Sequence, residues 1–320
     1  MSQPKIAVVC QEGLPLDAFL DGLSESALVD AQVNLVGVTH EAASSSAMFN
    51  GRPLAFGMID DVDFSDADLI VVLESSLVVE ASAAKLKAVS CPVLGFERDL
   101  ESLGPQSFDV AGVGSAKVIG LQQPAVLALK LLLPDSQLEG VDVTAFYPVS
   151  LFGKAGVNEL AAQTARLLNV QPLEHQLFET QMPFNYFPLS AMDQMAELEA
   201  HTARELSAAF DTDDVHVKAF QMPVFHGQGL AVSVIMTDEV DLDVLIEAFE
   251  SNPVVDYRAS NKQLSNYEVV QQPGKLMVGD LRKSAVDPHR LDLWLGFDEN
   301  QFAIGQTLIS VAELLLKHYL

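Results

Sequence analysis

The alternation of short apolar runs with amphipathic segments in the first hundred residues constrains the fold most. Ile6–Val9 is continuously apolar, as expected of a strand that is covered on both faces. Four apolar residues then recur at helical spacing, namely Leu16, Phe19, Leu20 and Leu23. Further strands are predicted at 33–38, 69–73 and 92–96, and a second helix at 79–89. This alternation predicts a doubly wound parallel sheet, whose ligands bind beyond the carboxyl ends of the strands.

The pattern becomes less regular after about residue 140. Strands are predicted at 141–149, 215–224, 229–236, 267–271, 276–280 and 291–295, and helices at 153–168, 195–210, 242–249 and 303–320. The strands on either side of the turn Phe225–Gln228 are expected to pair with each other. One face of the helix at 153–168 is predicted to carry Leu160, Thr164, Leu167 and Leu168. This irregular interleaving predicts an α+β domain with a mixed, largely antiparallel sheet.

Charge and cysteine content exclude several classes of protein. The 320 residues include 18 basic and 44 acidic side chains, which gives a net charge of −26. Such a surface repels phosphate backbones and anionic lipids, so we expect neither nucleic-acid nor membrane binding. No signal peptide or transmembrane run is recognised. Cys10 and Cys91 are too few for a disulfide framework and lack metal-ligand spacing. We therefore expect a soluble, cytoplasmic protein with two domains and no metal.

The loops after the first two strands are poorly suited to a nucleotide. A dinucleotide-binding sheet carries several glycines in its first turn, which let the backbone approach a pyrophosphate. Here that turn contains one glycine, Gly13, and Glu12 adds a negative charge. In the second loop, Glu41 suits either a ribose hydroxyl or a solvated surface position. The residues therefore indicate a nucleotide-binding architecture with a poor nucleotide site.

Three further features have both a catalytic and a structural interpretation. Cys10 suits a nucleophile, or a small apolar residue that closes a buried strand, and Cys91 lies at the opposite edge of the sheet. His226 suits a general base or an exposed turn residue. The segment Ser150–Gly156 opens a helix and suits either an anion site or an ordinary turn between a strand and a helix.

Four segments, in order, resemble the aspartate-semialdehyde dehydrogenases. Ser150–Leu160 resembles their Ser-Gly-Ala-Gly segment with the helix that follows, and Phe184–Pro188 resembles their Phe-Asn-hydrophobic-hydrophobic-Pro turn. Pro223–Gly227 resembles the Pro-Val-Phe-Thr-Gly stretch before their catalytic histidine, and Leu291–Trp294 resembles a late Leu-hydrophobic-Trp strand. The order and spacing of these segments match over essentially the whole chain, and the Usg-like branch of the family is the most similar.

The resemblance implies that the family's catalytic residues are absent. In this family a cysteine thiolate attacks the aldehyde carbon, hydride leaves to NADP, and a histidine moves protons. An arginine grips the substrate carboxylate. The resemblance places the cysteine at Pro124, the histidine at Gln228 and the arginine at Gln221. A proline offers no nucleophile and a glutamine amide is not a base near neutral pH, so none of the three positions keeps its role.

The resemblance also implies an altered NADP site. The cofactor positions that persist in some form are Gly13, Ser150, Gly153 and Thr307, the last in place of an asparagine. Leu151 and Phe152 replace two small residues of that segment, so large side chains are expected where a nicotinamide would rest. The other pocket positions are Gln123, Tyr147, His226 and Glu197. Glu197 lies in a segment that begins near Gln194 and Met195, where the family carries a phosphate-binding lysine. We therefore predict no cofactor from the residues themselves, and NADP from the resemblance alone.

The family's architecture implies a discontinuous first domain. Residues 1–128 with 301–320 are expected to form a Rossmann-like domain, and 129–300 an α+β domain through whose sheet a homodimer forms. We expect an inactive homologue that binds a protein partner or a small molecule. The alternative is an active NADP-dependent semialdehyde dehydrogenase of amino-acid biosynthesis, with a divergent site that recruits Cys10 or His226. A third interpretation is a subunit that modulates an active relative in a heterodimer.

Overall fold

The structure, a computed structural model, describes residues 3–39, 45–107, 117–133, 137–192, 195–259, 262 and 264–319. The chain divides into two compact units, residues 1–123 with 303–320 and residues 124–302. Within the described ranges, every helix is too short or too polar to cross a membrane.

The first unit contains a parallel sheet. Its strands are β1 (Lys5–Val9), β2 (Gln32–Gly37), β3 (Ser46–Phe49), β4 (Arg52–Met58), β5 (Leu69–Val72), β6 (Val93–Phe96), β7 (Gln106–Ser107) and β8 (Val118–Leu121). They lie in the order β3-β4-β2-β1-β5-β6-β8-β7, and all neighbours are parallel except β3 and β4. The predicted doubly wound sheet is confirmed. Its strand order reverses between β1 and β5, which places the expected ligand crevice there.

Helices of the first unit bury one apolar face each. They are α1 (Leu14–Ser24), α2 (Ser76–Ala88), α3 (Glu97–Leu100) and α9 (Ile309–Tyr319), and a π-helical segment, Gln301–Leu308, leads into α9. The helical spacing in α1 is confirmed, because Leu16, Phe19, Leu20 and Leu23 are all buried. They share a core with apolar residues of α9 and of the segment before it, namely Ile304, Leu308, Val311, Ala312 and Leu315. The predicted last helix therefore begins with a π-helical segment, which the apolar spacing did not reveal.

The second unit contains a mixed sheet. Its strands are β9 (Leu138–Tyr147), β10 (Phe187–Pro188), β11 (Val215–Gln221), β12 (Gln228–Met236), β13 (Val255–Tyr257), β14 (Leu276–Lys283) and β15 (Arg290–Phe297). Its helices are α4 (Pro124–Leu132), α5 (Gly153–Leu168), α6 (Leu198–Phe210), α7 (Leu242–Ser251) and α8 (Asn266–Gln271). The strands lie in the order β10-β11-β9-β12-β15-β14-β13, with β11 parallel to β9 and β13 parallel to β14. The other neighbours are antiparallel, which confirms the predicted class of sheet.

The two faces of the second sheet differ in chemistry. Alternate residues such as Val143, Val232 and Leu293 enter a core shared with apolar residues of α4, α6 and α7. The intervening residues on the opposite face include Phe146 and Trp294, whose rings lie 5.6 Å apart. This alternation is the period-two pattern of a sheet that has one core face.

Three local predictions for the second unit are wrong. Strands β11 and β12 do not pair with each other, because β9 lies between them. Residues 267–271 belong to helix α8, which begins with a capping box in which Ser265 and Glu268 exchange hydrogen bonds. Leu168 is 70% exposed, and the buried face of α5 instead carries Gly156, Glu159, Leu160 and Gln163.

Candidate functional site

A carboxyl group lies at the reversal point of the first sheet. The loop 10–13 leaves β1, and the loop 73–75 leaves β5. Gln11 Nε2 donates a hydrogen bond of 3.0 Å to Glu74 Oε2 between them. Glu74 is 5% exposed, and its Oε1 has no hydrogen-bond partner among the described residues. Burial raises the pKa of the Glu74 carboxyl, although the Gln11 hydrogen bond favours the ionised form. This carboxyl lies where dinucleotide-binding sheets receive a pyrophosphate.

The surroundings of Glu74 add further negative charge. Asp99 lies on α3, directly after β6, and its charge also raises the pKa of Glu74. Burial raises the pKa of Asp99 itself, and the Arg98 guanidinium lies 3.5 Å from the Asp99 carboxylate. Gly13 is extended, with φ 170°, so its backbone does not require glycine. These residues do not fit the pyrophosphate of NADP, because the loop after β1 has a single glycine and the buried Glu74 carboxyl lies beside it.

Both cysteines are buried thiols. Cys10 follows β1, is 1% exposed, and lies 3.5 Å from the Val8 carbonyl oxygen through its Sγ. Burial raises the Cys10 pKa, and the neighbouring Glu74 charge raises it further. Cys91 precedes β6, at the amino-terminal ends of the strands and so opposite Cys10, and burial raises the pKa of its thiol as well. Both thiols therefore remain protonated near neutral pH and are poor nucleophiles.

Three polar side chains form a row across the second sheet, called here the polar row. Gln221, Tyr147 and Gln228 lie at adjacent strand ends of β11, β9 and β12. They share the core face, because each lies an even number of residues from buried apolar residues of its own strand. Gln221 is 0% exposed and Gln228 is 1% exposed. The structure thus brings Gln221 and Gln228, two positions that the resemblance assigns to catalytic residues of the family, to the same end of the sheet.

Hydrogen bonds fix the Gln221 amide. Its Nε2 donates to the Tyr147 carbonyl at 3.1 Å and to the Met222 carbonyl at 3.0 Å. Because a carbonyl oxygen only accepts, the amide nitrogen must face these two groups. The Gln221 Oε1 is left buried without a partner among the described residues, as is the Nε2 of Gln228.

Glu299 adds a buried carboxyl beside the polar row. Its carboxyl accepts hydrogen bonds from the Ser150 hydroxyl and from the backbone N–H of Gly227, the residue before Gln228. Its Oε2 has no hydrogen-bond partner in the described part of the chain. Burial, assisted by the charge of Asp298, raises the pKa of Glu299 to about 7. The hydroxyl of Ser150, the first residue of the segment predicted to be either an anion site or an ordinary turn, therefore contacts a carboxyl of the protein.

Backbone contacts position Ser150 at this edge. The N–H groups of Val149 and Ser150 donate to the carbonyls of Val224 and Phe225, at 2.9 and 3.1 Å. Helix α5 then starts at Gly153, whose φ of +64° favours glycine. The segment 149–152 is thereby held against the turn that precedes Gln228.

Leu151 and Phe152 pack within the second unit. Phe152 contacts Phe178 edge to face, with ring centroids 5.3 Å apart. Both Leu151 and Phe152 are partly buried against apolar clusters of this unit. Their bulk thus stabilises the interior of the unit.

The remaining predicted positions are spread over several elements. Pro124 begins α4, and the buried Gln123 precedes it. Thr307 belongs to the π-helical segment, and Glu197 is exposed at the start of α6. His226 is half-buried, and its carbonyl accepts a hydrogen bond of 2.8 Å from Asn266. Glu41 and Gln194 lie outside the described residues.

Sequence reasoning missed the buried carboxyl groups. Glu74 and Glu299 each follow the apolar run of a strand by one or two residues. A carboxyl group directly after a buried strand is the signal that marks both. Within the described ranges, no group of three His, Cys, Asp or Glu side chains is arranged to hold a metal ion.

Comparison with known proteins identifies the family. The model of the semialdehyde dehydrogenase dimerisation domain matches residues 129–299, which is more than half of the chain. A USG-1 protein homolog of Pseudomonas aeruginosa is 28% identical, with 100% of both chains covered. Aspartate-semialdehyde dehydrogenase 2 of Vibrio cholerae is 28% identical over 61% of this chain and 59% of its own.

Solved structures agree with this assignment. A probable aspartate-semialdehyde dehydrogenase from Pseudomonas aeruginosa superposes with a TM-score of 0.89 at 27% identity, with both chains fully covered. Aspartate semialdehyde dehydrogenase II of Vibrio cholerae, in complex with ASA, has a TM-score of 0.88 at 21% identity over the full length of both chains, and shares the fold. The chain therefore belongs to the semialdehyde dehydrogenase family, with USG-1 homologues and aspartate-semialdehyde dehydrogenases among its relatives.

Proposed function

We propose that this chain is a non-catalytic member of its family, a homodimer that binds a small molecule. The observation that carries the proposal is the pair of buried amides, Gln221 and Gln228, at the positions that the resemblance assigns to the arginine and the histidine. Pro124, at the position assigned to the cysteine, has no nucleophilic atom. Loss of a nucleophile alone removes almost all covalent catalysis, and loss of the base adds little because the residues act as a unit.

The first sheet supports the same proposal. A negatively charged pyrophosphate would meet the buried Glu74 and the neighbouring Asp99. The recruited thiol of the alternative hypothesis is also disfavoured, because burial and Glu74 hold Cys10 in its protonated form. We therefore propose that the protein binds no NADP and carries out no hydride transfer.

Turnover assays test the proposal. We expect no NADP reduction with aspartate semialdehyde and phosphate, at a limit about a million-fold below an active relative assayed alongside. Cys10→Ser/Cys91→Ser is expected to give the same blank, and equilibrium dialysis is expected to place the Kd for NADP above about 1 mM. Turnover by the parent that the cysteine variant abolishes would establish the thiol enzyme instead.

The polar and aromatic face of the second sheet supports the homodimer. Phe146 lies between the rings of Phe220 and Trp294, with centroid distances of 6.2 and 5.6 Å. Nearby, Ser233 Oγ donates to Asp292 at 2.7 Å and accepts from Arg290 at 3.1 Å. The Arg290 guanidinium also lies 4.0 Å from the Asp142 carboxylate on this face, so a second copy meets less repulsion here than a net charge of −26 imposes elsewhere.

Sedimentation tests the homodimer. Phe146→Asp places a charge among the three rings, and we expect it to yield monomers at concentrations where the parent is dimeric. Leu77→Asp is the control, because Leu77 is an exposed apolar residue of the first unit, at 78% exposure. Equal sedimentation of the two variants would exclude this face as the interface. Co-purification of the chain with an active relative, in preference to itself, would favour the heterodimer.

A further inference from the structure

Within the described residues, three buried polar atoms beside the second sheet have no hydrogen-bond partner. They are Gln221 Oε1, Gln228 Nε2 and Glu299 Oε2. Buried polar groups in proteins are nearly always paired with protein, ordered water or a ligand. All three residues border one edge of the sheet, since Gln221 and Gln228 flank Tyr147 and Glu299 receives the N–H next to Gln228. The three atoms therefore form one candidate binding group, because their residues lie at the same end of the sheet.

The three atoms define a hydrogen-bonding pattern. The Gln221 Oε1 is an acceptor, because the Nε2 of that amide is held by two carbonyls. The Glu299 carboxylate oxygen is a second acceptor, and the Gln228 Nε2 is a donor. A primary carboxamide offers the complementary set, with two N–H donors and one carbonyl acceptor.

Charge selects further among ligands. The ionisable groups at this edge are Tyr147 at the end of β9, His226 in the turn before β12, and Asp298 and Glu299 after β15. A carboxylate or phosphate ligand would be repelled by the carboxyl groups of Asp298 and Glu299. The glutamines of the polar row are neutral and would not offset this repulsion. The edge thus disfavours the anions that an arginine clamp would favour.

We propose that the polar row and Glu299 bind a small uncharged molecule through its carboxamide group. The proposal rests on the proposed function and names the ligand class of that site. The carboxamide N–H groups donate to Gln221 Oε1 and Glu299, and its oxygen accepts from Gln228 Nε2. Ser150 acts as a positioning residue, because its hydroxyl holds the Glu299 carboxyl in place.

The protonation of Glu299 supports a pH dependence. Its pKa of about 7 means that the carboxyl becomes ionised as the pH rises through neutrality. The ionised form accepts an N–H donor and repels an anion. Discrimination in favour of an amide is therefore expected to increase between about pH 6 and pH 8.

Propionamide and propionate are suitable probes, since they have nearly the same shape and differ in charge. Ligand-observed NMR titration of the full chain at pH 8 is expected to give a Kd for propionamide at least about tenfold below that for propionate. The ratio of the propionate Kd to the propionamide Kd should be smaller at pH 6 than at pH 8. Gln228→Met, which keeps the side-chain length and removes the donor, should weaken propionamide binding about tenfold without changing the far-UV spectrum.

Two variants test whether Glu299 is the source of the pH dependence. Glu299→Gln is expected to improve propionate binding and to make the ratio independent of pH, whereas His226→Gln should keep the parental pH dependence. Equal binding of both probes by the parent, or a ratio that Glu299→Gln leaves unchanged, would overturn the proposal. Binding of neither probe would also overturn it and assign the three atoms to ordered water. The turnover assay is independent, because it stays blank in each of these cases if the protein is non-catalytic.

Discussion

Gly22→Ala is expected to destabilise the first unit by about 3 kcal/mol or more. A Cβ atom on Gly22 would lie 2.0 Å from the carbonyl oxygen of Gly305 and 2.7 Å from its carbonyl carbon. Both are backbone atoms of the π-helical segment 301–308, so no rotation of a side chain relieves the overlap. Helix α1 must therefore move away from this segment, which separates the apolar residues that the two share in one core.

A loss of stability in Gly22→Ala would indicate close packing at Gly22, because the usual effect of this substitution in a helix is the opposite. Within a helix, alanine ordinarily stabilises relative to glycine by up to about 1 kcal/mol, because it restricts the unfolded chain. Gly13→Ala, at the beginning of the same helix, is the matched control, since its Cβ would meet only the Pro15 ring, at 3.6 Å, and should cost about 1 kcal/mol or less. Urea unfolding followed by far-UV circular dichroism compares the variants. A smaller loss for Gly22→Ala than for Gly13→Ala would refute the close packing.

Local periodicity predicted most of the elements but failed where pairing is decided by distant residues. The strand at 69–73 is apolar throughout and was predicted within one residue of β5. In contrast, β11 and β12 read as a hairpin because a glycine-containing turn joins them. Their actual partner is β9, which lies at least 68 residues earlier in the chain. Periodicity describes which face of a strand is buried, and it carries no information about which strand lies next to it.

The prediction for the short segment 267–271 was wrong for a different reason. Residues 267–271 are rich in β-branched and aromatic residues, which favoured a strand. The decisive signal was polar, because the Ser265 and Glu268 pair satisfies the first backbone N–H groups of α8. In a helix of six residues, such a cap outweighs the weak propensity of the residues that follow.

The candidate site was predictable in position and only in part in chemistry. The resemblance located Gln221, Gln228 and Ser150, and the structure places all three at one edge of the second sheet. Glu74 and Glu299 were missed, because among 44 acidic residues only a position one or two residues after a buried strand distinguishes them. The burial that raises their pKa arises from the tertiary packing around the strand ends.

Glu159→Ala is expected to have the largest effect on the second unit, a loss of about 3–5 kcal/mol. Glu159 lies on the buried face of α5 and is 6% exposed. Its carboxylate accepts the backbone N–H groups of Gln176, Leu177 and Phe178, at 3.1, 2.6 and 3.3 Å. One turn later, Gln163 donates to the same carboxylate at 2.9 Å and accepts the Met182 N–H at 2.8 Å. Removal of the carboxylate leaves three backbone donors without an acceptor.

The segment that Glu159 holds also forms part of a cavity wall. Leu177 and Phe178, together with Phe187, help to line this cavity of about 640 Å³. With its N–H groups unpaired, the segment 176–178 is expected to open, and hydrogen exchange at these three amides should accelerate. Glu159→Gln keeps one acceptor oxygen and should lose less stability, about half as much. Glu179→Ala is the matched control, because this exposed acid in the same segment should change stability by less than about 0.5 kcal/mol. Denaturation followed through Trp294, the only tryptophan of the chain and a residue of this unit, measures all three variants. If Glu159→Ala and Glu179→Ala unfold at the same urea concentration, the carboxylate does not hold this segment in place.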